Sequence, residues 1–222
     1  MKKVMFLLFI QSVFSQIEKN IGDFQELKVL DGINVVLEKA EKNVLKISGD
    51  NTENVVIINN SGSLLIRMQL IKKLKGQNTV VKLTHKSSIF LIEAKESATV
   101  ISKAKINQPI IYLKTASGGQ IDLDLQTEKA TASAKSGGVI NLKGTTFSFD
   151  AVVKSGSIVK AYDLNSSQTK AKASSGGSCK AHARDIFEAN ASLGGSIEVY
   201  GDPKTFNQVI SLGGSIIETN ND

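Results

Sequence analysis

From about residue 110 onward, apolar and polar residues alternate in short runs, and each run is broken by Ser-Gly-Gly or a close equivalent. The segments TASGGQIDL, AKSGGVINL, VKSGSIVKA, ASSGGSCKA, ASLGGSIEV and ISLGGSIIE place their first glycines at Gly118, Gly137, Gly156, Gly176, Gly194 and Gly213, in steps of 19, 19, 20, 18 and 19 residues. Alternation at period two predicts strands with one face inward. A repeat this short cannot bury that face without stacking on its neighbours. The predicted fold class is all-β: a β-solenoid resembling a right-handed parallel β-helix, with coils of about 19 residues and an irregular β N-terminal part.

In register, the position before the first glycine holds Ser117, Ser136, Ser155, Ser175, Leu193 and Leu212. Four residues on stand Ile121, Ile140, Val159, Cys179, Ile197 and Ile216, a wholly apolar column that must face inward. Thr115, Ala134, Val153, Ala173, Ala191 and Ile210 form a second inward column, and Leu113, Ala132, Ala151, Ala171, Ala189 and Gln208 a third. Polar residues such as Asp122, Lys135, Asn141 and Lys154 fall between them. Glycine is expected where the backbone takes positive φ or closely approaches another coil.

The first half follows the same register less regularly. Leu27, Val29, Val35 and Leu37 take inward positions around Asp31-Gly32, and Ile92, Ala94 and Val100 do so around Glu96-Ser97. Between them, NVLKISGD, NVVIIN, SLLIRMQL and NTVVKLTH read as further strands joined by polar turns. The expected division is 1–15, 24–88 for the irregular part and 89–219 for the ladder. The irregular strands are placed to cover one end of the stack. At the other, Gln208 and Glu218 interrupt the inward pattern and predict a cap or the seam of a homo-oligomer.

Composition narrows this picture. Tryptophan is absent and aromatics make up 5% of the 222 residues, so the core of the ladder must be narrow and built from small side chains. The start MKKVMFLLFIQSVFSQ has Lys2 and Lys3, an apolar run from Val4 to Ile10, and small or neutral residues at Val13 and Ser15, the pattern of a secretory signal cleaved before Gln16. No stretch is long and apolar enough to predict a membrane span. Net charge is +6, falling to +4 without Lys2 and Lys3. Lysines are dispersed among acids except at Lys72, Lys73 and Lys75, expected to form a solvated edge or a contact for anionic glycan or lipid head groups. Basic and aromatic residues are not interleaved as nucleic-acid binding requires.

Candidate chemistry is sparse. Cys179, the sole cysteine, stands in a column of Ile and Val and is expected to be a buried hydrophobe. Asp122 and Asp124 share an outward face, but their counterparts one coil on are Asn141 and Lys143, and two coils on Lys160 and Tyr162, so no calcium or catalytic carboxylate pair repeats. Calcium-binding nonapeptide repeats need an Asp at a fixed offset in every turn, which this ladder lacks. His85 and His182 read as surface or hydrogen-bonded side chains rather than metal ligands. Ser117, Ser136, Ser155 and Ser175 have no regular His or Lys to activate them, so their hydroxyls are expected to serve turn backbone groups. No catalytic residue, cofactor-binding residue or metal ligand is assigned, and no ligand-binding residue can be named.

The stretch FQELKVLDGINVVLEKAEKNVLKISGD, followed by the Ser-Gly-Gly ladder, resembles the bacterial head GIN domain family (DUF2807) of autotransporter-type adhesins, with Gly32, Ile33 and Asn34 as the eponymous tripeptide. The resemblance runs from about Phe24 to about Thr219 and departs from the family's pattern at Glu96, Leu193 and Leu212. It implies a solenoid-like β domain at the bacterial envelope with an inferred adhesin role. The leading expectation is an exported, non-enzymatic protein of the periplasm, outer-membrane surface or extracellular space, binding a glycan or protein partner, or another copy of itself, through a solenoid face. A structural or sensory assembly module is the alternative, and a carbohydrate-active β-helix enzyme the third.

Overall fold

The computed structural model describes residues 17–219, so the signal proposed for residues 1–15 lies outside the described residues. The chain winds into a β-solenoid of about seven turns with coils of about 19 residues. Three central strands, Gln120–Ala134, Val139–Lys154 and Ile158–Ser174, each run almost a whole coil and pair in parallel. Later coils are split in two: Ser178–His182 with Ile186–Ser192, Ser196–Tyr200 with Thr205–Ile210, then Ser215–Glu218. Every coil therefore contributes one segment before its Gly turn and one after it, giving two parallel ladders.

The inward columns stack as the spacing predicts. Ile121 pairs with Ile140, Ile140 with Val159, Val159 with Cys179, and Cys179 with Ile197. All five are buried. Thr115, Ala134, Val153, Ala173 and Ala191 are buried in the neighbouring column. The second glycine of the turn makes a close approach to the preceding coil: a Cβ on Gly195 would stand 2.4 Å from the Ala173 carbonyl oxygen. Ser157 takes the equivalent place in its coil by donating its hydroxyl to the Lys154 carbonyl.

The turn column has one backbone conformation regardless of side chain. Ser117, Ser136, Ser155, Ser175, Leu193 and Leu212 all have φ between 47° and 55°. The groups that tie this column together are main-chain: Gly118 N–H donates to Ser136 O at 3.2 Å, Gly137 to Ser155 at 3.1 Å, Gly156 to Ser175 at 3.1 Å and Gly176 to Leu193 at 3.2 Å. The expected service of the serine hydroxyls is thus performed by the backbone, and Leu193 enters the column without breaking it.

The N-terminal part does not stack in chain order. Glu26–Val29 and Asn34–Lys39 form a coil of the ladder that pairs in parallel with Leu91–Lys95 and Thr99–Ser102 on one side. On its other side lie Ser63–Met68 and Thr79–His85, also parallel. Beyond those, Val44–Gly49 and Val55–Asn60 pair antiparallel and close the end, with Ile17–Asn20 outermost. At the opposite end Thr205–Ile210 and Ser215–Glu218 pair only inward among the described residues. That last coil covers Ala191, Ile197 and Val199, which are buried, while Ile210 and Leu212 remain exposed.

Candidate binding face

The residues singled out from the sequence do not converge. His85, in the coil beside the N-terminal closure, is buried, and its Nδ1 lies 2.8 Å from the Ser87 carbonyl oxygen; burial lowers its pKa. His182 pairs with Tyr200 near the other end, and burial lowers its pKa too. His182 is half-buried, and its Nδ1 is shielded from water without a hydrogen-bond partner among the described residues. Cys179 is fully buried, and desolvation pushes its thiol up to about 12, so no thiolate nucleophile forms near neutral pH. Among the described residues no group of three or more His, Cys, Asp or Glu side chains could hold a metal ion.

The lysine cluster at 72–75 sits in the connection between Ser63–Met68 and Thr79–His85, beside the turn column. Lys73 Nζ reaches Glu96 Oε1 at 3.2 Å. Glu96 in turn meets Asp31, which lowers the Glu96 pKa, while burial followed by the contact with Glu96 raises that of Asp31. The departure from the small-residue pattern at Glu96 is therefore a carboxyl pair joined to a lysine.

A different place gathers unspent polar groups. Asn141 pairs with Lys160, but two residues later Lys143 pairs with Asp163, so one residue is inserted at this point in Ile158–Ser174. The insertion is a β-bulge, a device that re-aims side chains. It breaks strict alternation and turns both Tyr162 and Asp163 outward between buried Ala161 and Leu164. Opposite, Gly144 has φ 107° and approaches so closely that a Cβ would lie 2.0 Å from the Leu125 carbonyl oxygen. The result is a cleft of about 330 Å³ lined by Asp122, Asn141, Leu142, Lys143, Lys160, Tyr162 and Asp163. Asp122, Lys143, Lys160 and Asp163 form no ion pair among the described residues, and Asn141 Oδ1 is without a hydrogen-bond donor.

An aromatic surface adjoins the cleft. Tyr162 is 41% exposed, and its ring centroid lies 5.7 Å from that of Tyr200, with an interplanar angle of 39°. Tyr200 donates its hydroxyl to Glu198 Oε2 at 3.0 Å, and Lys180 Nζ reaches the same oxygen at 2.8 Å. One signal of this arrangement was present in the sequence: the 20-residue step from Gly156 to Gly176 is the coil that carries the inserted residue.

The architecture is that of a parallel β-solenoid presenting flat outer ladders, interrupted on one face by the bulged cleft. The chain belongs to the family described as "Putative auto-transporter adhesin, head GIN domain", whose model matches residues 23–203. Solved structures share the fold. A "putative adhesin" from Bacteroides fragilis NCTC 9343 is 16% identical with a TM-score of 0.82, covering 95% of this chain and 98% of that one. A "putative adhesin" from Parabacteroides merdae ATCC 43184 is 19% identical with a TM-score of 0.71, covering 94% and 97%. A "putative lipid binding protein" from Parabacteroides distasonis ATCC 8503 is 20% identical with a TM-score of 0.71, covering 92% and 96%. No relative with a curated description is detectably similar. Among the described residues no helix is long and apolar enough to cross a membrane.

Proposed function

We propose that the chain is an exported, non-enzymatic protein of the bacterial envelope or cell surface, in the periplasm, at the outer-membrane surface or outside the cell, that binds a partner through an outer face of its solenoid. The observation that carries this reading is the bulged cleft, where charged side chains of both signs surround a space without pairing with one another. Some lysines on neighbouring coils do pair with acids, as Lys129 does with Asp150 at 3.2 Å and Lys170 with Glu188 at 2.6 Å. Binding sites combine a few convergent polar groups with aromatic surface, and both are present here. Family membership agrees with an adhesive role. The chain's own nucleophile candidate, Cys179, is buried and held as the thiol.

The test has two parts. Mass spectrometry of exported material should find a chain beginning at Gln16, and a mature form that keeps residues 1–15 refutes export by this route. The tagged mature chain should capture a glycan or protein from envelope fractions of its source cells; capture of neither refutes the binding role. The second reading, an assembly module, draws on the last coil. There Val209 and Ile217 are exposed where the preceding coil has Asn190 and Glu198.

A further inference from the structure

We propose that the cleft at the Tyr162 bulge is a saccharide site for a neutral pyranose, resting on the partner-binding reading above. Three features of the cleft select that chemistry. The face of a tyrosine ring carries negative charge density, and it packs against the weakly positive C–H face of a sugar ring. Tyr162 lines the cleft, is half-exposed and has Tyr200 packed against it. Behind it stand acceptors and donors suited to hydroxyl groups: the carboxylates of Asp122 and Asp163, the ammonium groups of Lys143 and Lys160, and the Asn141 amide. Asn141 gives up no existing side-chain hydrogen bond among the described residues when it turns to a ligand.

Charge decides between neutral and anionic sugars. Two aspartates and two lysines line the cleft and balance one another, so neither a sulfated nor a carboxylated ligand gains net attraction. A hydroxyl, which both donates and accepts, satisfies both kinds of side chain at once. The volume of about 330 Å³ lies at the lower end of the roughly 300–1,000 Å³ of ligand pockets. One or two sugar units of a longer chain are the expected occupancy, with the rest of the polymer running across the open ladder.

The chain itself supplies the reporter. It has no tryptophan and three tyrosines, and Tyr162 and Tyr200 are two of them, so tyrosine emission reads the site directly. The probes are methyl glycosides of glucose, galactose, mannose and N-acetylglucosamine, together with dextran and mannan. At least one should change the emission saturably. Tyr162→Ala should weaken that binding by roughly tenfold or more, with a melting temperature lowered by no more than a few degrees, since the half-exposed ring gives up only its contact with Tyr200. Tyr112→Ala, which removes a ring stacked on Phe90 elsewhere, should leave it within about twofold. Raising the salt to about 1 M should also leave it within about twofold, since a neutral ligand is not screened. No binding by any probe, full binding by the Tyr162→Ala protein, or collapse of binding in salt each overturns the proposal. Capture of an envelope protein that depends on Tyr162 and is untouched by all six probes also overturns it, while leaving the partner-binding reading standing. Capture of nothing from the envelope fails that broader reading instead.

Discussion

The carboxyl groups of Asp31 and Glu96 meet across adjacent turns of the solenoid and shift each other's pKa in opposite directions, with Lys73 Nζ 3.2 Å from Glu96 Oε1. Asp31 is buried, has φ 63°, and accepts the Met68 N–H through Oδ2 at 3.1 Å. Its other oxygen, Oδ1, is buried without a hydrogen-bond partner among the described residues.

Burial and Glu96 raise the Asp31 pKa above its unfolded value, so its contribution to stability is complete below the ordinary aspartate range and is lost as pH rises through the raised value. Glu96 is lowered and acts in the opposite sense, retaining its charge. Asp31→Asn supplies the donor permanently and tolerates the left-handed backbone. It should raise the melting temperature by a few degrees at about pH 7.5, and the gain should shrink as pH falls toward the aspartate range. Calorimetry across that window checks both the sign and the slope.

Cys179 lies between Val159 and Ile197 in the apolar column. Thiol labelling of the folded protein should be slow and should become fast in denaturant. Cys179→Val should change stability by less than about 1.5 kcal/mol, whereas Cys179→Asp, which buries an unpaired charge, should cost more than about 3 kcal/mol. Urea melts separate the two.

The paired glycines of the turn carry different constraints, and alanine should distinguish them. Gly137 has φ 72° and no atom within 4 Å of where an added Cβ would stand, so Gly137→Ala should cost only the left-handed penalty of about 1–2 kcal/mol. Gly195→Ala drives a methyl group against the Ala173 carbonyl and should cost at least about 3 kcal/mol. Equal losses in denaturant titration would show that steric approach is not what selects the second glycine.

Removing residues 203–222 should strip the last coil from Ala191, Ile197 and Val199 and leave their strands with unpaired, apolar edges. Edges of that kind associate. The truncated chain should elute as aggregates on sizing chromatography, and a monomer of unchanged stability would remove the capping role from this coil.

The ladder was legible because its signal is repetition: six Gly turns at near-constant spacing fix the register of every inward column from Ile121 to Ile216. Asp31-Gly32 and Glu96-Ser97 were legible at the turn as well, each with positive φ. What escaped was the order of the coils. Leu64, Ile66, Val81 and Leu83 have the alternation of any strand, and nothing local says that they stack outside Leu27 and Val35. The cleft was half legible. The 20-residue step marked the irregular coil, but alternation alone assigns Tyr162 to an ordinary solvated face and cannot show that Asp163 turns outward beside it.

The out-of-order coil sets a condition on assembly as the chain is delivered. Asn34–Lys39 lies between Thr79–His85 and Thr99–Ser102, so a chain emerging from its N-terminus cannot complete this layer until residue 102 has followed. From there on the requirement vanishes: each later coil settles on one already present, and the solenoid grows one layer for every 19 or so residues delivered. The described chain up to residue 102 is thus a starter that must close as a unit, and the remainder is a zipper that runs at the pace of delivery.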